Sequence, residues 1–566
     1  MTSRVPPVVS AIAIGLLCVA VYGPPSALTP FFTKGEPREG LVVRQMIEGG
    51  DWVLPKRLDA GGWTIASKPP MFHWLAAAVS SAAGKTTPWS VRAPSVLLCT
   101  LAVLLVWLIG RTILAPDAAL AGAVVLATTF EWVRAASTAR VDGVLAAFTT
   151  AGLLIFYRGV VRGGLTRSEA LVAYACLVGA ALTKGPVGFV LPLLVVAVAL
   201  AVTGRLRTLK RFHPLMGAVV IVGAVGGWYL LAAALGGEAF VQKHILKENL
   251  FRFIGATKLR SGHAHPFHYY FPTFAAGFLP WTPLFLGALI GASRSAPARR
   301  DPAVGFLLVW VAVVFLFYSA ASAKRSVYLL ALYPGAALLT GWWWHEIATG
   351  ARTARWLRSW PAQAAVVTLC VAAALPFLLT LAEGAGLRPL DAIAPFLHHR
   401  DQANLPLVRA AVDAHLPLAL AGLMSILAAL LAIWHGIRNA RWTLLLRAHV
   451  LVACALWILV FGVFQPELAG RRSLGPFMER VERTTSGAPL AFHPSTFDFG
   501  AAFYARAGIR RWQPDAGGNG TPEYVLIWDV DLSKLGDNAR DRFETIATSD
   551  GTDPNGRKHL VLTRVR

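Results

Sequence analysis

Apolar stretches of membrane-spanning length recur along the first 464 residues of the chain, and this feature constrains the fold most. A helix needs about 20 predominantly apolar residues to cross the hydrocarbon core of a bilayer. The chain is 55% hydrophobic and only 15% charged, with a mean hydropathy of +0.55. We therefore expect an all-α polytopic membrane protein. About thirteen spans are predicted, at 8–23, 89–110, 117–133, 141–157, 169–183, 187–203, 214–235, 271–291, 304–320, 327–344, 362–382, 414–435 and 443–464.

The net charge of +23 is distributed as membrane topology would distribute it. Lys and Arg lie mostly in short loops between apolar stretches, as is typical of cytoplasmic loops. We therefore expect a multi-pass protein of the bacterial inner membrane, with membrane lipids and no nucleic acid among its partners. If the N-terminus is inside, the basic residues of these loops include Arg111, Arg158, Arg207, Lys210, Arg299, Arg355 and Arg438.

An odd number of spans places the C-terminus on the external, periplasmic face. Three long loops, about 24–88, 236–270 and 383–413, lie on the same side, so chemistry is expected there. The first of them contains two stretches that read as amphipathic juxtamembrane helices, at 36–49 and 69–83.

The character of the sequence changes after residue 464. Polar helix-like stretches alternate there with short β-rich runs such as 524–528 and 559–563. The sequence thus predicts a membrane-embedded catalytic domain at 1–464, followed by a small periplasmic α/β domain at 465–566.

Several external turns carry cations where a simple turn needs none. A charged group at the membrane boundary costs several kcal/mol unless it is paired or functional. An anion shared between these turns would explain them, and the natural anion at that depth is a lipid phosphate. The turns contain Arg38, Lys68, Lys184 and Lys324. The carboxylates Glu36, Glu39 and Asp142 nearby are the catalytic candidates, and Glu248, His263 and His265 in the fourth periplasmic loop, about 236–270, are candidates for contact with the acceptor.

Each of these residues also has a simpler interpretation. Lys184 and Lys324 could snorkel from helix ends, and Arg140 with Asp142 could form a pair in a first helical turn. The His-x-His pattern of His263 and His265 is weak evidence for metal without defined carboxylate partners. We assign no metal ligands and leave a divalent metal open.

The order of the motifs resembles a known family. The chain has Gly-Glu-Pro-Arg-Glu-Gly at 35–40, Gly-Asp-Trp-Val-Leu-Pro at 50–55, Lys-Pro-Pro at 68–70 and Ser-Val-Arg-Ala-Pro-Ser at 90–95. Ala-Arg-Val-Asp at 139–142, Leu-Thr-Lys-Gly-Pro at 182–186, His-Pro-Phe-His-Tyr-Tyr at 265–270 and Leu-Pro-Trp at 279–281 follow. This series resembles the aminoarabinose transferase (ArnT-like) and protein O-mannosyltransferase-related glycosyltransferases. The resemblance covers about residues 1–345.

The resemblance implies a GT-C fold with thirteen membrane helices and a periplasmic C-terminal domain. It further implies inverting transfer of a sugar from undecaprenyl phosphate to lipid A or lipopolysaccharide. Carried over by motif, Arg38, Lys68 and Lys184 would contact the donor phosphate, with Tyr328 near them. Lys324 would add positive charge at this site. Glu36 would be the first-loop acid and, with Glu39, a candidate base for a hydroxyl acceptor.

Three positions in two motifs depart from the family pattern, which usually reads Asp-Glu-x-Arg-Tyr in the first loop and has Glu before Lys-Pro-Pro. Here Gly35 replaces the Asp, Glu39 replaces the Tyr, and Ser67 replaces the second Glu. These departures leave other functions open: transfer of galacturonic acid, mannose or another sugar to glycan or protein, a lipid-linked-sugar transporter, or a non-catalytic scaffold. We expect a monomer, because the fold requires no partner.

Overall fold

Helices form most of the computed structural model, and each of the thirteen predicted spans overlaps helical structure. The structure describes residues 6–59, 62–244, 265–350, 355–396, 402, 405–505, 508–512, 522–536, 540–553, 556 and 558–566. The longer helices of the membrane region are Pro7–Ala27, Pro88–Gly110, Pro116–Ala127, Val141–Arg162, Arg167–Lys184, Val187–Val202, Gly227–Phe240, Thr282–Arg294, Pro302–Ala320, Tyr333–Ala348, Trp360–Gly384, Leu405–Arg438 and Trp442–Trp457.

Shorter helical segments connect or extend these helices. The α-helical ones are Phe130–Ala136, Pro214–Ile221, Tyr270–Gly277, Ala296–Arg300 and Pro389–Ile393. Short 3₁₀ segments lie at Leu206–Phe212, Phe267–Tyr269, Ser326–Leu332, Arg355–Arg358 and Ala394–Phe396, and π-helical turns at Val222–Gly226 and Ile458–Phe464.

Not every predicted span is one long helix. In the described part of the chain, seven helices are long and apolar enough to cross a membrane, or up to nine if each of two bent pairs is one span. The difference from thirteen arises because helices such as Val187–Val202, with 16 residues, are shorter than a full span. The protein is nevertheless a multi-pass membrane protein.

The two bent pairs are broken at polar or proline-containing links. Pro116–Ala127 and Phe130–Ala136 meet at 64°, and Phe267–Gly277 and Thr282–Arg294 meet at 118°. At the first break, the Thr129 backbone is extended and its hydroxyl donates to the Val125 carbonyl at 2.7 Å. At the second, Pro280 lacks the N–H that a continuing helix would need.

Small residues allow helices of the membrane region to approach closely. The helices Pro116–Ala127 and Tyr333–Ala348 pack together at Gly122 and Gly341. A Cβ atom at Gly341 would clash with the Ala118 carbonyl oxygen, and one at Gly122 would lie 3.1 Å from Leu338 Cα. Contacts of this kind replace the hydrophobic effect as the main source of packing between helices in lipid.

The chain divides into two compact units. The first consists of Met1–Pro25, Ser67–Phe72 and Pro94–Val463. The second consists of Ser26–Ala66, His73–Ala93 and Phe464–Arg566. The second unit thus combines the C-terminal region with most of the first loop, which the sequence had assigned to the membrane domain.

The C-terminal region contains the predicted α/β fold. Its sheet has the strands β3 (Leu490–Phe492), β4 (Ile509–Arg511), β5 (Tyr524–Trp528), β6 (Phe543–Thr552) and β7 (His559–Val565), in the order β4-β3-β5-β7-β6. β3 pairs in parallel with β4 and β5, and β7 pairs antiparallel with β5 and β6. The helices of the region are Gln465–Arg472, Gly475–Thr484, Phe499–Tyr504 and Asp529–Leu532. The first loop contributes the helices Gly35–Gly49 and Met71–Ala82 and a hairpin of β1 (Lys56–Asp59) and β2 (Gly62–Ile65).

Packing explains why the first loop joins this unit. Arg44, on the helix Gly35–Gly49, donates to the carbonyls of Phe503 and Ala505. The Phe31 backbone N–H donates to the Tyr504 hydroxyl at 2.7 Å. Gly40 lies so close to Phe503 that a Cβ atom would stand 2.7 Å from its ring. The second unit is therefore built from segments that are far apart in the sequence, and the two units do not meet at a single boundary in the chain.

Candidate active site

An ion pair in the first unit, whose carboxylate is buried, joins two of the predicted site residues. Lys184 Nζ donates to Asp142 Oδ1 at 2.5 Å, and Arg140 Nε lies 3.6 Å from Asp142 Oδ2. Asp142 is in the first turn of Val141–Arg162, and Lys184 is the last residue of Arg167–Lys184. A carboxylate at a helix N-terminus and a cation at a helix C-terminus each complement the helix dipole. The local sequence thus favours both positions.

Two further predicted residues belong to the same cluster. Lys184 Nζ lies 4.2 Å from the centre of the Tyr328 ring, a cation–π distance. Lys68 is close enough to act electrostatically on Asp142. The structure therefore brings Lys68, Asp142, Lys184 and Tyr328 together, and Arg140 adds a further cation. We call these five residues the basic cluster.

A second ion pair lies beside the basic cluster, and sequence reasoning missed it. Arg134 donates to both carboxylate oxygens of Glu131, with Nε–Oε2 and Nη2–Oε1 distances of 2.9 and 2.5 Å. Its Nη2 also donates to the Ser326 hydroxyl at 3.1 Å, in the segment that carries Tyr328. Arg134 is close enough to interact electrostatically with Asp142. A signal was available, because a Glu and an Arg within or beside an apolar span are costly unless they are paired or functional.

The Lys324 side chain bonds to the backbone carbonyl of His265 and does not pair with its imidazole ring. Lys324 is buried, and its Nζ donates to the carbonyls of His265 and Ala321 at 2.9 and 2.5 Å. The His265 ring stacks on Tyr269 with centroids 4.1 Å apart. This geometry ties the turn after Pro302–Ala320 to the segment before Tyr270.

In the second unit, Glu36 is fully buried and paired with Arg92. The Arg92 Nε–Glu36 Oε1 and Nη2–Oε2 distances are 2.7 and 3.2 Å, and the Thr33 hydroxyl donates to Oε2 at 3.2 Å. Arg92 Nη1 donates to the carbonyls of Ser26 and Thr29. Both carboxylate oxygens of this predicted acid are therefore engaged. Arg92, the partner of Glu36, was conspicuous in the sequence because it is a charged residue of the motif 90–95 within an apolar helix.

Glu39, also in the second unit, accepts hydrogen bonds from Arg38 and His73. The Arg38 Nη2–Oε1 distance is 2.7 Å, and the His73 Nε2–Oε2 distance is 2.9 Å. Burial by itself raises the pKa of the Glu39 carboxyl, but Arg38 and His73 more than offset it and hold the pKa far below its ordinary value. Glu39 is thus a carboxylate at neutral pH. His73 was not identified from the sequence.

Two predicted residues, Glu248 and His263, lie outside the described residues. Within the described ranges, no group of three or more His, Cys, Asp or Glu side chains is arranged to hold a metal ion. The position before Lys68, where the family pattern has a Glu, is Ser67, which lacks the carboxylate that a divalent cation prefers.

Comparison with solved structures identifies the architecture. The chain superimposes on the crystal structure of ArnT from Cupriavidus metallidurans bound to undecaprenyl phosphate, with a TM-score of 0.74 over 98% of this chain and 97% of that chain, at 20% sequence identity. The chain has the ArnT fold. The apo crystal structure of the same ArnT gives a TM-score of 0.73.

Sequence comparisons agree with the ArnT fold. Residues 67–230 match the family described as dolichyl-phosphate-mannose-protein mannosyltransferase. An undecaprenyl phosphate-alpha-4-amino-4-deoxy-L-arabinose arabinosyl transferase of Pectobacterium carotovorum is 31% identical over 60% of this chain and 61% of its own length. A transferase of the same name, numbered 2, from Proteus mirabilis is 26% identical over 57% of each chain. The matched part thus spans about three fifths of these relatives, and the predicted resemblance is confirmed.

Proposed function

We propose that this protein is a membrane glycosyltransferase that moves a sugar from undecaprenyl phosphate to a phosphate-bearing lipid acceptor. The basic cluster carries the proposal, because it gathers three cations, Lys68, Arg140 and Lys184, around the carboxylate of Asp142. The names of the relatives, and the ArnT crystal structure with undecaprenyl phosphate, support this donor class.

The chemistry requires a stabilised leaving group. The acceptor oxygen attacks the anomeric carbon, the bond between that carbon and the lipid phosphate oxygen breaks, and the electron pair leaves with the phosphate. The configuration at the anomeric carbon inverts. The lipid phosphodiester has one negative charge and the released monoester has two, so positive charge near it stabilises the transition state. Lys184 and Lys68 provide that charge, and Asp142 and Tyr328 hold Lys184 in place.

The contacts of the three candidate carboxylates indicate which type of acceptor the protein uses. A general base works best when its pKa is near the working pH and one oxygen can reach the acceptor proton. Glu36 is fixed by Arg92, Asp142 by Lys184, and Glu39 by Arg38 and His73. For any of these three described carboxylates to act as the base for a hydroxyl acceptor, its partner would have to release it, whereas a phosphate acceptor is already ionised and needs no base. Transfer of the aminoarabinose type, to a phosphate of lipid A, fits this arrangement.

These contacts revise several roles that the motifs implied. We assign Glu36 to a buried structural pair and Lys324 to backbone positioning, so neither contacts substrate. Arg38 stays a proposed donor-phosphate residue, held by Glu39. The proposal also retains the inner-membrane location, a periplasmic active site and C-terminal domain, and a monomeric protein.

A transfer assay tests the proposal. Purified full-length protein would be given synthetic undecaprenyl-phosphate sugars and a lipid A-type acceptor, and the product would be identified by mass spectrometry. We expect transfer by wild type, and a rate reduced by about 10²–10³ in Lys184→Ala, as for loss of a group that stabilises transition-state charge. Arg158→Gln is the matched control, since Arg158 pairs with Glu169 at 2.8 Å at the other end of Val141–Arg162. No transfer by folded wild type with any donor would contradict the proposal.

A further inference from the structure

The pair of Glu131 and Arg134 lies where two broken helices of the first unit meet. The Phe130 backbone N–H donates to the Leu279 carbonyl at 3.1 Å, and Trp281 Nε1 donates to the Thr128 hydroxyl at 3.0 Å. These bonds join the 64° break to the 118° break. Interrupted helices at membrane depth are tolerated where they are buried in protein or line a cavity, and they commonly carry binding sites.

The pair holds the Arg134 guanidinium in one orientation. The Glu131 carboxylate is 4% exposed and takes two hydrogen bonds, and the Ser326 hydroxyl takes a third. The Arg134 side chain is 44% exposed. Among the residues that the structure describes, its second terminal nitrogen, Nη1, has no hydrogen-bond partner. The Nη1 side of the fixed, planar Arg134 guanidinium is thus turned away from the Glu131 carboxylate.

Arg140 lies a few residues along the chain from Arg134 and is partly exposed. Its side chain is 32% exposed, and its 3.6 Å separation from Asp142 is longer than a hydrogen bond. Lys184, by contrast, is 14% exposed and makes a short bond to the same carboxylate. Arg140 therefore offers accessible positive charge beside Asp142, the partner of Lys184, and Arg134 is close enough to interact electrostatically with the same carboxylate.

We propose that Arg134 and Arg140 form a second anion subsite, which binds the phosphate monoester of the acceptor lipid. The inference rests on the proposed function, since transfer between two phosphates needs two anion-binding positions at one site. Guanidinium groups suit the acceptor position, because they bind phosphate oxygens through paired hydrogen bonds with defined geometry. Such binding would orient one acceptor oxygen toward the anomeric carbon while Lys184 and Lys68 hold the donor phosphate.

The test separates the two substrates kinetically. Wild type, Arg134→Gln and Arg140→Gln would be assayed as full-length proteins, with a phosphate-bearing lipid acceptor and with the same lipid lacking its phosphate. Loss of a charge-assisted hydrogen bond is expected to raise the acceptor KM by about tenfold or more in each variant. The donor KM should stay within about twofold, because the lysines remain. Arg158→Gln should leave both values unchanged.

Equilibrium binding keeps this inference separate from the proposed function. Binding of the phosphate-bearing lipid without donor requires no turnover, so it can be measured even if no sugar donor is found. We expect wild type to prefer this lipid over its dephosphorylated form, and Arg134→Gln to lose the preference. Equal binding of the two lipids by wild type, or an unchanged preference in Arg134→Gln, would overturn the subsite.

Folding of the variants needs a check, because Arg134→Gln leaves Glu131 buried without its partner. If that variant does not fold, Arg140→Gln decides, since its ion pair is long and partly exposed. An acceptor KM unchanged in Arg140→Gln, or a rise in the donor KM alone, would then refute the assignment. A rise confined to the acceptor KM would support it.

Discussion

Replacing Arg92 by leucine is expected to destabilise the second unit severely. The substitution leaves the Glu36 carboxylate fully buried without its partner, and it removes the donors to the carbonyls of Ser26, Thr29 and Pro30. Removing one member of a buried ion pair costs about 3–5 kcal/mol. Because a domain is stable by only about 5–15 kcal/mol, this loss takes up much of the margin.

The assay is thermal unfolding of the purified protein in detergent, followed by tryptophan fluorescence and by recovery as a single species on size exclusion. Arg158→Ala is the matched control, because its pair with Glu169 has side chains that are 22% and 20% exposed and should contribute below about 1 kcal/mol. The double variant Arg92→Leu/Glu36→Leu should recover part of the loss, because neither charge remains buried.

Two results would refute this reasoning. One is an unfolding midpoint in Arg92→Leu that falls no further than in Arg158→Ala. The other is a double variant no more stable than Arg92→Leu alone. Glu36→Gln bears on the same point, since a structural role predicts less folded protein, with near-normal transfer per folded molecule. Normal folding with transfer abolished would instead return Glu36 to the chemistry.

Three further predictions concern separate contacts. Lys184→Arg should retain more transfer than Lys184→Ala, because it keeps the positive charge near the leaving phosphate. Single-turnover rates of the two variants would test this, and a rate in Lys184→Arg no higher than in Lys184→Ala would contradict it. The lowered pKa of Glu39 makes its contribution to stability fully present above the ordinary value of 4.5 and lost as pH falls below it. The unfolding midpoint of wild type should therefore fall between about pH 5 and pH 3, where this carboxyl begins to lose its contribution. In Arg38→Gln the midpoint should fall less over the same range, and a fall equal to that of wild type would contradict this. Gly40→Ala should cost about 1–3 kcal/mol through overlap with the Phe503 ring, and Phe503→Leu should relieve it, as unfolding midpoints of the single and double variants would report.

Much of the architecture was readable from local sequence. A span requires about 20 apolar residues in succession, so each predicted span could be recognised without knowing its neighbours. The polar, β-rich character after residue 464 likewise indicated the C-terminal sheet. The breaks at Thr128–Thr129 and at Pro280 were harder to read, because polar and proline residues also occur in continuous membrane helices.

Some members of the candidate site could be predicted from the sequence, for a related reason. A lysine or aspartate at a membrane boundary is conspicuous in sequence, which is why Lys68, Asp142 and Lys184 were found, and the structure then brought them together. Their neighbours Glu131 and Arg134 were overlooked, because an acid and a base three residues apart also occur as an ordinary helix-surface pair.

What the sequence by itself determined was the class of the protein, the approximate positions of its helices and a set of candidate cations for a phosphate site. Only the tertiary structure decided which charges are neutralised. Arg92 and Glu36 are 56 residues apart in the chain, and Arg134 and Ser326 are 192 apart. Such partners depend on the path of the whole chain, and a charge changes its role when a partner is within hydrogen-bond distance. A carboxylate that looks catalytic in sequence, such as Glu36, can therefore be structural once its partner is known.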